Sequence, residues 1–370
     1  MMSAHIVMLL TGLLVGGCIG FLLHRSDYCM AGMFRDLFLF RSSRMLKSFV
    51  LFFALALVLF ELILATGLVA FPFPKYGPPS GINLVGGFLF GIGMVLAGGC
   101  AIGTLYKMGA GRFSSLLAFV GMIAGSLLFA LQYPQLKVLM HVLDLPTSAI
   151  TLPELLQVPS WLGVCIVLLP TGALLYRWYR CGSMLKPAVV EGYLQPWKTA
   201  VALALLASLF LMIMGLPMGV TTSNAKFGAL LMQLLTPEQY AATPFFTKLS
   251  FEYQPPLGGG VIRGGAGADL DGVALVQYPL IIGIIAGSAF SAIRLGEWKL
   301  HLRLPWRQVL SAIIGGVMMG LASRIAPSCN LWHLFGGLPV LGLQSILFLA
   351  GLIAGAWVGG LLFTRLVVPR

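Results

Sequence analysis

Long apolar stretches alternate with short polar or basic connections along the chain. Four shorter stretches, at about 26–36, 100–111, 220–235 and 328–338, are apolar or rich in glycine, and each directly follows a long one. Backbone of this kind is tolerated at membrane depth only where protein or a water-filled cavity covers it. The pattern therefore predicts four re-entrant half-helices and an extramembrane loop at 236–274. It also predicts nine transmembrane helices of about 20 residues, at roughly 5–23, 45–70, 82–98, 114–132, 160–178, 198–217, 275–293, 308–324 and 343–364.

Composition agrees with a membrane protein. Of the 370 residues, 59% are hydrophobic and 9% are charged, with a mean hydropathy of +0.96. No soluble domain of this length hides so much apolar surface, so we expect an all-α polytopic membrane protein whose first partner is the lipid bilayer. The net charge of +12 is explained by loop cations, and we expect no nucleic-acid partner because no long basic run is present.

The distribution of cations predicts the orientation. Of the 23 Lys and Arg, 17 fall in the loops after the first, third, fifth and seventh helices and at the C-terminus. Positive residues concentrate on the cytoplasmic side, so the N-terminus is expected outside and the C-terminus inside. An odd connecting helix then inverts the second half. We expect two inverted-topology repeats, 1–132 and 198–370, joined by a connecting segment at 133–197.

One stretch of the first half recurs in the second. The residues from Gly86 to Tyr106 align without a gap on those 229 positions later, and Cys100 falls on Cys329. In each copy an apolar helix reaches a break, at Gly98-Gly99 or Pro327-Ser328, and the cysteine follows it. Repeated interrupted helices of this kind indicate the substrate site of a transporter.

Three of the six cysteines, Cys29, Cys100 and Cys329, lie at such breaks, and none of the six has a CxxC or zinc-like spacing. Asp27, Ser223 and Ser328 are the predicted N-caps of the short helices. Inward-pointing helix N-termini favour an anion, and a soft thiol suits a ligand with exposed sulfur or selenium. The expected substrate-binding residues are Cys29, Cys100, Cys329, Gly99, Gly103, Thr221, Thr222 and Asn330.

Other polar residues have two interpretations each. Glu61, inside a spanning helix, is either a proton relay or a packing hydrogen bond. Arg25, Arg35 and Lys107 either guide an anion or reach lipid headgroups. Either Lys226 or Arg324 is a candidate to attract an arriving anion, and His333 is one helical turn from Cys329. No P-loop is present, and we expect no catalytic residue, metal or cofactor.

The short segments resemble those of the YeeE/YedE family of membrane proteins. The similarity rests on RSDYCMAGMFRD, VLAGGCAIGTLYKMGAG, MGVTTSNAKFGALL and APSCNLWHLFGG, and it is closest to the YeeE branch of thiosulfate transporters. The resemblance implies nine spanning helices, an inverted repeat, a conduit marked by Cys29, Cys100 and Cys329, and a TusA-like cytoplasmic sulfur carrier as partner. The last segment departs from the thiosulfate type and is more similar to the YedE branch linked to selenium metabolism.

The leading hypothesis is therefore a bacterial inner-membrane importer of thiosulfate or a similar small sulfur anion, and not an enzyme. Two alternatives stay open. One is a transporter of a selenium species or another sulfur oxyanion. The other is a membrane relay that carries sulfur as a cysteine persulfide, for which His333 near Cys329 is the candidate base.

Overall fold

The computed structural model describes residues 2–184, 192–257 and 260–367. The described chain is mostly helical and contains one small antiparallel hairpin. In chain order the elements are α1 (Met2–Ser26), α2 (Met30–Leu39), α3 (Arg44–Ala65), α4 (Gly81–Leu96), α5 (Ala101–Gly109), α6 (Phe113–Leu131), α7 (Tyr133–Val142), α8 (Leu152–Leu155), α9 (Ser160–Arg180), α10 (Pro196–Met214), α11 (Thr222–Leu235), α12 (Pro237–Ala241), α13 (Pro244–Thr247), β1 (Leu249–Tyr253), β2 (Ile262–Gly265), α14 (Gly272–Arg294), α15 (Trp306–Ile325), α16 (Asn330–Trp332) and α17 (Leu343–Leu366). A π-helical turn, His333–Gly337, continues α16.

Nine helical stretches of the described chain are long and apolar enough to cross a membrane, which confirms the predicted number. Two of them, His5–Leu39 and Gly81–Gly109, join a spanning helix with the short helix that follows it. Helices α2 and α5 have 10 and 9 residues. At 1.5 Å per residue each covers only about half of the roughly 30 Å hydrocarbon core.

The connection before α14 differs from the all-α prediction. Within the predicted loop 236–274, two short helices lead into strand β1, which pairs antiparallel with β2. Two short helices that were not predicted, α7 and α8, lie in the connecting segment 133–197. Helix ends also differ: the helix expected to reach residue 70 ends at Ala65, with Thr66 as its C-cap. The Thr66 hydroxyl donates to the Ile63 carbonyl and accepts from the Leu68 amide, which turns the chain.

Reciprocal pairs of glycines bring the spanning helices together. Three helix pairs, α1 with α14, α4 with α17 and α6 with α15, have a glycine pair four residues apart on both partners, and a Cβ at any of these glycines would meet the partner's backbone. Small residues at this spacing let helix backbones approach closely in lipid, where the hydrophobic effect does not drive association. The glycines are Gly16, Gly20, Gly283 and Gly287; Gly87, Gly91, Gly351 and Gly355; and Gly121, Gly125, Gly316 and Gly320.

At the centre, α4 and α15 cross in opposite directions. Gly86, early in α4, contacts Ala326 at the end of α15, and Gly315 of α15 contacts Ala97 at the end of α4. The two contacts are equivalent in the sequence repeat, because the 229-residue offset relates Gly86 to Gly315 and Ala97 to Ala326. The repeated glycines are therefore explained by packing, because both copies make the same contact.

Candidate functional site

Three of the short helices begin with a cysteine at the N-cap position. Cys29 caps α2, Cys100 caps α5 and Cys329 caps α16, all with extended backbone. The predicted caps Asp27 and Ser328 are wrong, because these residues have φ values of 46° and 119°. They turn the chain just before the helix begins and leave the thiol at the first turn.

The fourth short helix, α11, begins after Thr221 and not after the predicted Ser223. The Ser223 amide and hydroxyl both donate to Gln277 Oε1 at 2.9 Å, so this serine ties α11 to α14. Thr221 and Thr222 are 1% and 4% exposed. The site therefore has a hydroxyl side chain where the other three short helices have a thiol.

Five predicted site residues come together where the short helices start. The Gly103 amide donates to Cys100 Sγ at 3.4 Å, and a Cβ built on Gly103 would lie 3.4 Å from the sulfurs of both Cys100 and Cys29. The thiols of Cys29 and Cys329 lie near that of Cys100, and the Asn330 amide lies beside it. Neither Asn330 Nδ2 nor Oδ1 has a hydrogen-bond partner among the described residues, although Asn330 is fully buried. A buried amide without a well-aligned partner costs stability, and a ligand beside the Cys100 thiol would supply that partner.

The cysteines lie at different depths. Cys100 and Cys329 are fully buried, whereas Cys29 is 4% exposed and lines a cavity of about 520 Å³. We call this cavity the Cys29 vestibule; its charged lining residues include Asp27, Arg35, Asp36, Arg44, Lys107 and Arg112. Gly99, also predicted for the site, lies against the backbone of Gly103 and Thr104 and supports the break.

A second, smaller vestibule lies next to Thr222 and Ser328. Two adjoining depressions share Lys75, Thr222 and Ser328, and we call them the Lys75 vestibule. The Thr222 hydroxyl accepts from Lys75 Nζ at 3.1 Å, and Arg324 donates to the Thr221 hydroxyl at 3.0 Å. Burial and the neighbouring Arg324 lower the pKa of Lys75 to about 7. Two basic residues thus meet two hydroxyls in a confined space.

Lys226 and Arg324, which the sequence left as equal candidates, have different environments in the structure. Lys226 is fully buried, and its ammonium contacts Asp271 Oδ1 at 2.8 Å and the carbonyls of Gly267 and Asp269. That ion pair fixes α11 to the segment before α14. Arg324 has no carboxylate partner among the described residues, and its Nε is buried without a hydrogen bond. Arg324 is therefore the cation able to meet a ligand.

Glu61 accepts a hydrogen bond of 2.9 Å from Ser160 at the start of α9. This contact gives Glu61 a packing partner. His333 Nδ1 lies 3.0 Å from the Ser345 hydroxyl, and its ring stacks on Phe348 with the centroids 4.2 Å apart. His333 is therefore held by the surrounding helices.

Sequence reasoning missed Lys75. It lies in the connection between α3 and α4, within FPFPKYGPP, and was counted only as one of six cations on the sparsely charged side. Lys226 and Arg324 were singled out because few cations are needed for topology on that side. The same argument applies to Lys75.

Comparisons with known proteins show which family and which transporters the chain is similar to. Residues 25–358 match the family described as Sulphur transport. The chain is 33% identical to the thiosulfate transporter TsuA of Spirochaeta thermophila, over 97% of this chain and all of that one. It is 25% identical to thiosulfate transporter TsuA of Escherichia coli, over 95% of this chain and 93% of the relative. A shorter match, 32% identical over 91 residues, covers 22% of the probable transporter YedE of Escherichia coli.

Proposed function

The chain belongs to the Sulphur transport family, and from this premise we propose that it imports thiosulfate across the bacterial inner membrane. The observation that carries the proposal is the convergence of the Cys29 and Cys100 thiols on Gly103, with the unpartnered Asn330 amide beside them. The anion moves from the Lys75 vestibule past Cys329 and Cys100 to the Cys29 vestibule. It passes through unchanged, so the cysteines act as donors and not as nucleophiles.

The protein is built from two inverted repeats, 1–132 and 198–370, joined by 133–197, with α2, α5, α11 and α16 as re-entrant half-helices. Two observations support this. The contacts Gly86 with Ala326 and Gly315 with Ala97 are related by the 229-residue offset, and α4 and α15 run in opposite directions. Repeats of this kind meet near the bilayer midplane and place the substrate there.

Thiosulfate suits the mixture of groups at the centre. A double-negative ion is costly to move through a low-dielectric region unless donors replace its water. The first amides of α5 and the partial positive end of its dipole supply part of that compensation. The terminal sulfur of the ion is soft and large, and a thiol donates to it while its own sulfur remains polarizable.

The Lys75 vestibule is the outer end of the path. Lys75 and Arg324 attract the dianion, and the Thr221 and Thr222 hydroxyls that now accept from these cations turn to the ligand when it arrives. The charge distribution supports this orientation, with only six of the 23 Lys and Arg on that side. The N-terminus then lies outside, and the C-terminus and the Cys29 vestibule lie in the cytoplasm.

A TusA-like sulfur carrier is the expected cytoplasmic partner. The Cys29 vestibule opens on the side where it would act, and Arg35, Arg44 and Arg112 line the vestibule. These cations favour an anion waiting at the opening. Binding of such a carrier to the purified protein, lost when these arginines are replaced, is the expected result.

Growth of a sulfur-auxotrophic bacterial host tests the function. Thiosulfate as the only sulfur source should support growth with the wild type, and C29A, C100A and C329A should each reduce it, while growth on a sulfur source with its own transporter stays normal. The matched control is C165A, because Cys165 lies exposed on α9. Undiminished growth of all three variants would contradict the conduit.

The same host decides among the alternatives. Absence of wild-type growth on thiosulfate, with the protein present in the membrane, would favour a selenium species or another sulfur oxyanion. A persulfide adduct on a single cysteine after exposure to thiosulfate, seen by intact mass, would favour the relay.

A further inference from the structure

Lys107 points into the protein and not toward lipid headgroups. It lies in the last turn of α5, and its side chain runs back toward the start of that helix, the direction that helix geometry favours. Its ammonium donates to the Gly98 carbonyl at 2.6 Å and contacts Cys29 Sγ at 3.8 Å. One residue thus connects the break after α4 to the thiol at the start of α2.

The positive charge of Lys107 is not neutralised by a neighbouring acid. Within residues 2–184, 192–257 and 260–367, no carboxylate lies within ion-pair distance of its ammonium. The two acids that line the Cys29 vestibule with Lys107 are occupied: Asp27 accepts from Tyr106, and Asp36 pairs with Arg35. An ammonium has three donors, and a carbonyl and a thiol occupy two of them. The third donor and the uncompensated charge remain for a ligand in the Cys29 vestibule.

We propose that Lys107 and Cys29 together form the inner anion site, in which the ammonium binds the oxygen end of a small sulfur oxyanion and the thiol contacts its terminal sulfur. This inference rests on the proposed transport function. Lys107 is then the residue that sets how firmly the anion is held before release. The Gly98 carbonyl and Cys29 thiol hold the ammonium in place while the site is empty.

With Lys107 at the inner end, positive charge is present at both ends of the proposed path and absent from its middle. Lys75 and Arg324 stand at one end and Lys107 at the other, whereas the groups that meet the Cys100 thiol between them, Gly103 and Asn330, are neutral. Neutral donors hold a dianion less firmly than an ammonium does. The anion therefore passes a shallow central position and reaches a cation again where it leaves.

Charge-selective labelling of Cys29 tests the pair without relying on transport. In purified protein with Cys18, Cys165 and Cys181 replaced by Ser, Cys29 is modified by an anionic methanethiosulfonate with a sulfonate group or by a cationic one with a quaternary ammonium. Cys100 and Cys329 are fully buried, and peptide mass identifies the labelled site. K107Q keeps an N–H donor for the Gly98 carbonyl but removes the charge, K107M removes both, and K107R keeps the charge.

K107Q and K107M should lower the anionic-to-cationic rate ratio about tenfold at low salt, and K107R should keep it high. The matched control is K47Q, which removes an equal charge from Lys47, a residue that lies over the Trp178 ring and outside the vestibule lining. An unchanged ratio in K107Q would overturn the site, since a lysine with a purely structural role would leave charge preference unaffected. If wild type fails to take up thiosulfate but the ratio still falls, the transport proposal is wrong and the anion site stands.

Discussion

Replacing Gly103 by alanine tests whether the anion passes between the Cys100 and Cys29 thiols. The substitution fills the space beside both sulfurs but should leave the stability of the fold intact. The new methyl would lie 3.4 Å from Cys100 Sγ and Cys29 Sγ, an ordinary close contact with no backbone in the way. Because Gly103 is helical and alanine is the better helix former, folding should be unchanged or favoured by up to about 1 kcal/mol. On the proposed path, the ligand atom that contacts both thiols occupies the place of this methyl.

The expected loss of transport follows from overpacking. Forcing an extra carbon into a filled space costs roughly 1–3 kcal/mol, and the same cost added to the barrier for passage slows uptake by about 5- to 150-fold. Uptake of radiolabelled thiosulfate into vesicles measures the rate, and thermal unfolding in detergent measures stability. The matched control is G172A on α9, where a Cβ meets nothing within 4 Å. Wild-type uptake by a folded G103A protein would refute the idea that the anion passes between these sulfurs.

Three further outcomes are expected. Uptake into vesicles should be higher at pH 6 than at pH 8. Burial and Arg324 lower the pKa of Lys75 to about 7, so the ammonium that attracts the anion is lost as pH rises. K75M should weaken uptake and remove most of its dependence on pH. K226M should remove the buried ammonium that pairs with the partly exposed Asp271 and cost roughly 1–3 kcal/mol, seen as lower thermal stability, because the carboxylate keeps its three backbone N–H partners. Normal stability would contradict the packing role. G91A should also lower the melting temperature relative to G172A, since its Cβ would meet the α17 backbone.

The sequence predicted the membrane part of the fold well because its signals are local. Apolar length alone indicates a spanning helix, and all nine appear in the described chain. The break at Gly98 was equally readable, and the residue has a φ of 71°. The sequence repeat around Cys100 and Cys329 was visible without any structure, because both copies keep the glycines that their neighbours require.

What could not be predicted depends on contacts between distant segments. Lys226 and Arg324 look alike in sequence, and only the approach of Asp271, 45 positions beyond Lys226, makes one structural and leaves the other available. Lys75 becomes part of the site through its contact with Thr222, 147 residues away. The N-caps failed for a related reason: a serine before a helix is a good cap, but Ser328 turns the backbone and leaves that position to Cys329.

The two halves are not equivalent at the site, and the difference has a physical consequence. The 229-residue offset that carries Cys100 to Cys329 carries Gly103 to Trp332. Gly103 leaves room between two thiols, whereas the Trp332 ring lines the Lys75 vestibule and packs against Gly219. On the proposed path, the small residue leaves room for a sulfur-sized atom beside Cys100 and Cys29, and the large one narrows the part next to Cys329. We therefore expect passage from the Lys75 vestibule to Cys329 to require movement of the Trp332 side chain, while passage between Cys100 and Cys29 does not depend on any side chain at position 103.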